Sequence, residues 1–158
     1  MLAGCGSGAD EMPQEFTIQQ SPMRTAHEAA STVPGYAFGN WTPNVGGTAT
    51  YTVQIGRYTR IGERVFFNCE MIINTIGTGQ TGQVSGLPFT SKANGSTHAA
   101  CVGVFSGLTA NVVFLTGAIA EGTSAILLLS LTAAATQTTN NSILGNGSRI
   151  TVSGQYDI

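Results

Sequence analysis

The chain has 158 residues, enough for one domain with a single buried core and an extension. Only 9 % of them are charged, against about a quarter in ordinary soluble domains. The net charge of −2 contains no basic run, which argues against nucleic acid as a ligand. So sparse a charge implies one of two surfaces: one covered by copies of the chain or by partners, or a neutral one rich in Thr, Ser and Asn.

Residues 1–40 hold Asp10, Glu11, Glu15 and Glu28 against Arg24, a net −3, while the remainder holds five basic and four acidic residues, a net +1. The first forty residues are therefore an electrostatic unit of their own, read here as an arm. Its start is glycine-rich, and Leu2-Ala3-Gly4-Cys5 has the form of a lipobox. A lipobox needs a charged and an apolar segment before it, and only Met1 precedes this one, so the match is read as coincidence. Glu15-Phe16-Thr17-Ile18-Gln19 alternates polar and apolar and is able to add as a strand to a sheet edge. Phe16 and Ile18 are its candidate anchors on a partner. Ser21-Pro22 opens a short predicted helix through Ala26 and Ala30, which ends before Pro34-Gly35. Tyr36 and Phe38 either close the base of the following domain or join the arm's docking contact; Trp41 is assigned to the base.

From Thr48 onward short strands alternate with turn residues. The predicted strands are 48–55, 57–61, 64–75, 83–87, 98–106, 112–119, 124–132 and 149–156. Val65, Phe67, Cys69, Met71 and Ile73 share one face of the third, and Ile61-Gly62-Glu63 pairs it with the strand before as a hairpin. Ala120-Glu121-Gly122-Thr123 is a second predicted hairpin turn. Eight strands without intervening helices imply an all-β fold, an antiparallel β-sandwich of jelly-roll type.

In 124–132, Ala125, Leu127, Leu129 and Leu131 are expected to face the core. Ile126 and Leu128 then make the other face apolar too, which implies either a neighbouring subunit against them, the reading preferred here, or a mid-sheet strand buried under a loop. The run around Leu127-Leu128-Leu129 is far shorter than the ~20 residues that span a bilayer as a helix. Cys69 and Cys101 both lie in apolar runs and are expected as reduced core thiols. His27 and His98, without a C-x-x-C pair, give no metal or cofactor site. The acids of the domain, Glu63, Glu70, Glu121 and Asp157, read as solvated or salt-bridged rather than as a catalytic pair. No nucleophile elbow or phosphate loop is present, so no catalytic residue is assigned and the chain is read as a non-enzyme.

Gly56-x-Tyr58-Thr59-x-Ile61-Gly62-x-Arg64-Val65-Phe66-Phe67, then a strand, then Ser85-Gly86-Leu87-Pro88-Phe89-Thr90, resembles a β domain of bacteriophage tail fibres, tailspike ends and small virion proteins. Trp41-Thr42-Pro43 matches the usual opening of that domain, so the resemblance covers about 41–158 and leaves 1–40 as the arm. It implies a homotrimer located in the virion and assembled in the bacterial cytoplasm, and it carries no catalytic motif. Two functions follow. One is a capsid decoration protein docked on the major capsid protein through its arm, which the lack of a shaft-like repeat before the domain favours. The other is a receptor-binding tip of a tail fibre or tailspike that recognises host surface glycans. Neither membrane nor nucleic acid is an expected partner.

Overall fold

The computed structural model describes residues 35–132, 138–139 and 142–158. Among these there is no helix. The strands are β1 (Tyr36–Trp41), β2 (Thr50–Ile61), β3 (Arg64–Thr75), β4 (Gln83–Ser85), β5 (His98–Ser106), β6 (Val112–Ile119), β7 (Ala125–Thr132), β8 (Thr138–Thr139) and β9 (Arg149–Asp157). Every pairing is antiparallel, in the order β1-β2-β3-β9-β5-β6-β7-β4, with the short β8 on β7.

The sequence suggests two packed sheets, but hydrogen bonds run through a single one. It curls because β5 and β6 pair only over His98–Cys101 and Thr116–Ile119, after which β5 stays with β9 and β6 with β7. The two ends of the curled sheet then meet at Asn44 and Ser85, whose N–H groups donate to each other's carbonyls at 3.0 and 2.7 Å. The predicted hairpin is present, with Ile61 opposite Arg64 and Gly62 at φ 61°, a left-handed conformation that favours glycine. The turn before β7 is likewise where expected, with Gly122 at φ 65°.

Two expectations fail at the start of the domain. Residues 36–40 belong to the sheet as β1, paired with β2 from Tyr36–Ile61 to Trp41–Gly56, so the domain begins before Trp41. The break expected at Gly56 does not occur, and β2 runs through it. Gly56 is a packing residue here: a Cβ would lie 2.6 Å from the Trp41 indole, which occupies that space.

The concave side holds the core. Val65, Phe67, Cys69, Met71 and Ile73 are all buried, as the alternation in β3 predicts. Phe67 packs edge-on against Trp41 (6.1 Å between centroids) and Tyr156 (5.9 Å). The Tyr156 hydroxyl accepts from the Phe89 N–H and donates to the Phe89 carbonyl, so this buried ring brings a satisfied polar end. The loop after residue 141 plugs one end with Ile143 and Leu144, whose N–H groups both donate to the Thr81 carbonyl.

Phe67 is 4 % exposed and sits between two other rings, so Phe67→Ala leaves a cavity that rigid strands cannot refill. The expected loss is ~3–5 kcal/mol, read as a fall in the chemical-denaturation midpoint at unchanged slope. Tyr156 and Cys69 are each pushed up to about 12 by burial. Both fold in their neutral forms, and only the unfolded chain ionises readily above their ordinary values of 10.0 and 9.0. Stability is therefore fully present below pH ~9 and falls as the pH climbs towards ~12, which thermal melts across that range will show.

Candidate binding face

The convex side of the sheet is crossed by one unbroken row of register partners. It runs Asn40, Arg57, Asn68, Ser153, Cys101, Thr116, Leu129. The row changes character as it crosses. Over β1, β2, β3 and β9 it is polar, whereas from β5 onward it runs into apolar surface.

At the polar end, Phe38, Thr59, Phe66 and Gln155 form the neighbouring row on one side, and Ile55, Glu70 and Thr151 the row on the other. Phe38 and Phe66 are 39 % and 42 % exposed, which presents aromatic surface beside polar groups. Tyr36 lies 6.1 Å from Phe38, tilted. Three open depressions adjoin here, and Arg57 borders each. One of about 740 Å³ lies against Tyr36, Phe38 and Asn40; one of about 280 Å³ against Phe66 and Asn68; one of about 410 Å³ against Ile55, Glu70 and Ser153.

Charge singles out Arg57. Arg64 pairs with Asp157 at 2.5 Å, Lys92 with Glu63 at 2.6 Å and Arg149 with Glu70 at 2.7 Å. Arg60 donates to the Gly62 carbonyl and lies over the Phe89 ring. The Arg57 guanidinium has no such partner among the described residues. Its backbone, by contrast, is fixed from the core side: the Trp41 Nε1–H is shared between the Arg57 and Asn68 carbonyls, each at 3.3 Å. The rigid concave side thus positions the two residues at the centre of the convex face.

The acids considered as a catalytic pair are all engaged. Glu63, Glu70 and Asp157 take part in the three ion pairs, and Glu121 accepts the Gly95 N–H. Glu70 takes its partner, Arg149, from the last strand.

At the apolar end the structure reverses the expected faces of β7. Ile126 and Leu128 are both 0 % exposed and belong to the chain's own core, while Leu127, Leu129 and Leu131 are half-buried on the convex side. The reason lies on β6. Gly117 faces the core opposite Leu128, and a Cβ there would come within 2.8 Å of Ile126, so β6 leaves room for the even-numbered residues. With Phe114 (54 % exposed, register partner of Leu131) and Ala118 opposite Leu127, these leucines make an outward apolar band. Cys101 is exposed in the same face, contrary to the expectation of a core thiol; Cys69 is buried. Phe16 and Ile18 lie outside the described residues, and Tyr36 and Phe38 stand on β1 at the rim of the polar face.

No protein-family model matches the chain, and no curated relative does. Among solved structures it is similar to the crystal structure of the Dettilon tailspike protein (gp208), with a TM-score of 0.62 and 16 % identity. The likeness covers 77 % of this chain and 24 % of that one, so this chain spans about a quarter of that protein's length. At this identity the likeness is one of fold: the curled antiparallel sheet also occurs in a phage tailspike.

A strand break at Gly56 would put Arg57 at a strand start, whereas β2 runs through both residues. The alternation of Ile55, Arg57 and Thr59 against Gln54, Gly56 and Tyr58 was the signal that a continuous strand with a polar outer face ran through it.

Exposure also separates the two described cysteines. In the folded protein a thiol-alkylating reagent at pH 8 should modify Cys101 within minutes and Cys69 only after unfolding, because burial holds the Cys69 thiol protonated. Peptide mapping by mass spectrometry reads both sites.

Proposed function

We propose that this chain is a bacteriophage virion structural protein, a non-catalytic tail-type β domain that binds host surface glycan on its convex face around Arg57. The observation that carries the binding is the row Asn40–Arg57–Asn68–Ser153 with Phe38 and Phe66 beside it. Sugars combine hydroxyl-rich edges with apolar ring faces. A shallow face with one uncommitted guanidinium, amide and hydroxyl groups, and exposed aromatic rings offers a partner for each. The engagement of the described carboxylates in ion pairs and backbone hydrogen bonds supports binding without hydrolysis.

The fold likeness to a tailspike supports the placement in a tail rather than on a capsid. Labelling intact virions with antibody against this chain separates the two: signal on the tail supports the proposal, and signal on the head supports decoration.

The assembly is a homotrimer closed through the apolar band of β6 and β7. Closed symmetry covers such a band without producing fibres. Leu129→Asp should leave the strand signature in circular dichroism intact and yield monomers on sedimentation, because a carboxylate would enter the apolar interface. Leu128→Asp should instead fail to fold, its side chain lying in the core. A wild-type monomer at micromolar concentration contradicts the trimer.

Arg57→Ala should weaken binding to purified host surface polysaccharide by about 10- to 100-fold, the range for losing hydrogen bonds to a charged group. The melting temperature should not move, since the side chain supports nothing in the described fold. Unchanged binding removes the convex face from recognition.

A further inference from the structure

The tripeptide Asn-Gly-Ser occurs twice, as Asn94-Gly95-Ser96 before β5 and as Asn146-Gly147-Ser148 before β9. An asparagine followed by glycine is able to cyclise: the glycine backbone nitrogen attacks the side-chain amide carbon, and no Cβ stands in the way. The two copies are closely matched. Both asparagines are exposed, and both glycines are left-handed at φ 80°. Open space surrounds both glycines, with nothing within 4 Å of where a Cβ would stand. Each asparagine Oδ1 accepts a backbone N–H, from Ser96 at 3.1 Å and from Ile76 at 2.8 Å.

The two differ in what holds the attacking nitrogen. The Gly147 N–H donates to the Ile73 carbonyl at 2.8 Å, an acceptor that takes up no proton. The Gly95 N–H donates to the Glu121 carboxylate, which is a base. That carboxylate is held in place by Ser91, which is 3 % exposed and clamps the turn between β6 and β7 on both sides of it. The Ser91 hydroxyl donates to the Ala120 carbonyl at 2.7 Å and accepts the Thr123 N–H at 3.2 Å. The Gly122 N–H donates to the Ser91 carbonyl at 3.1 Å, and the Ser91 N–H to the Thr123 carbonyl at 2.9 Å. Base and nucleophile therefore meet at a fixed turn, three residues along the chain from a buried anchor.

We propose that Asn94 is a self-modification site, deamidated with Glu121 as the base. Glu121 takes the proton from the Gly95 nitrogen, which bonds to the Asn94 side-chain amide carbon. The Ser96 N–H donates to the oxygen on which negative charge develops. The bond from that carbon to Nδ2 then breaks, and ammonia leaves with the proton that Glu121 had taken. Water opens the resulting succinimide and gives aspartate or isoaspartate at position 94, with no oxidation or reduction. The change takes the net charge of the chain from −2 to −3. It also sets a new carboxylate beside Glu121, and like charges at that distance repel. The loop before β5 thus loosens from the turn in a slow, one-way step, while Asn146 stays an amide.

The full chain is kept at physiological pH and temperature, folded or in denaturant, and deamidation at each tripeptide is followed by peptide mass spectrometry. In the folded chain Asn94 should react about tenfold or more faster than Asn146, the low side of what a positioned general base supplies. It should also react faster than in denaturant, where the two tripeptides become alike. Glu121→Gln keeps an acceptor for the Gly95 N–H but removes the base. It should slow Asn94 by a similar factor and leave Asn146 and the melting temperature unchanged. The proposal is overturned if folded Asn94 reacts no faster than in denaturant, a comparison that holds whatever the substitution does to the fold. An Asn94 rate equal in wild type and Glu121→Gln overturns it as well.

Discussion

The contact between Trp41 and Gly56 fixes most of what lies around it. The indole fills the space that any side chain at Gly56 would need, so β1 and β2 can pair closely only because residue 56 has no Cβ. From that position the Trp41 N–H reaches the carbonyls of Arg57 on β2 and Asn68 on β3, while its ring meets Phe67 edge-on. Three strands are thus held at one point from the core side. The residues whose backbones are held are those that present side chains to solvent on the other side. A rigid concave face and a usable convex face are two sides of one arrangement.

The convex face divides because the sheet curls. β1, β2, β3 and β9 form one wall whose outer row is Asn40, Arg57, Asn68 and Ser153. The short β5–β6 pairing turns the sheet, and the row continues as Cys101, Thr116 and Leu129. A polar surface with one uncommitted cation suits a hydrated ligand, whereas an apolar band suits a second copy of the chain. Three ion pairs take up most of the charged groups of the domain, and Arg57 stands apart from them.

Most strand positions were legible in the sequence because polar and apolar residues alternate where one face is wet. β3 is the clearest case, its odd-numbered residues from Val65 to Ile73 all buried. Legibility failed where alternation was absent or glycine had a packing role. β7 is apolar on both faces, so its pattern could not say which face is the core; that was decided by Gly117 across the strand pair. Gly56 resembled a strand end until the indole above it was placed. β1 resembled an arm because Ala37 and Gly39 lack the β-branched residues typical of strands. Arg57 could be recognised as part of a face only once four strands were in register.

On this proposal one sheet face serves two purposes, recognition around Arg57 and assembly along β6 and β7. A crystal structure of the assembled protein with host surface oligosaccharide separates the two. The expected result is a three-fold assembly with Leu127, Leu129, Leu131 and Phe114 covered by neighbouring chains, and sugar density on Arg57, Asn68 and Phe66. An assembly in which a neighbouring chain covers Arg57 and Asn68, with the leucine band left to solvent, would contradict it.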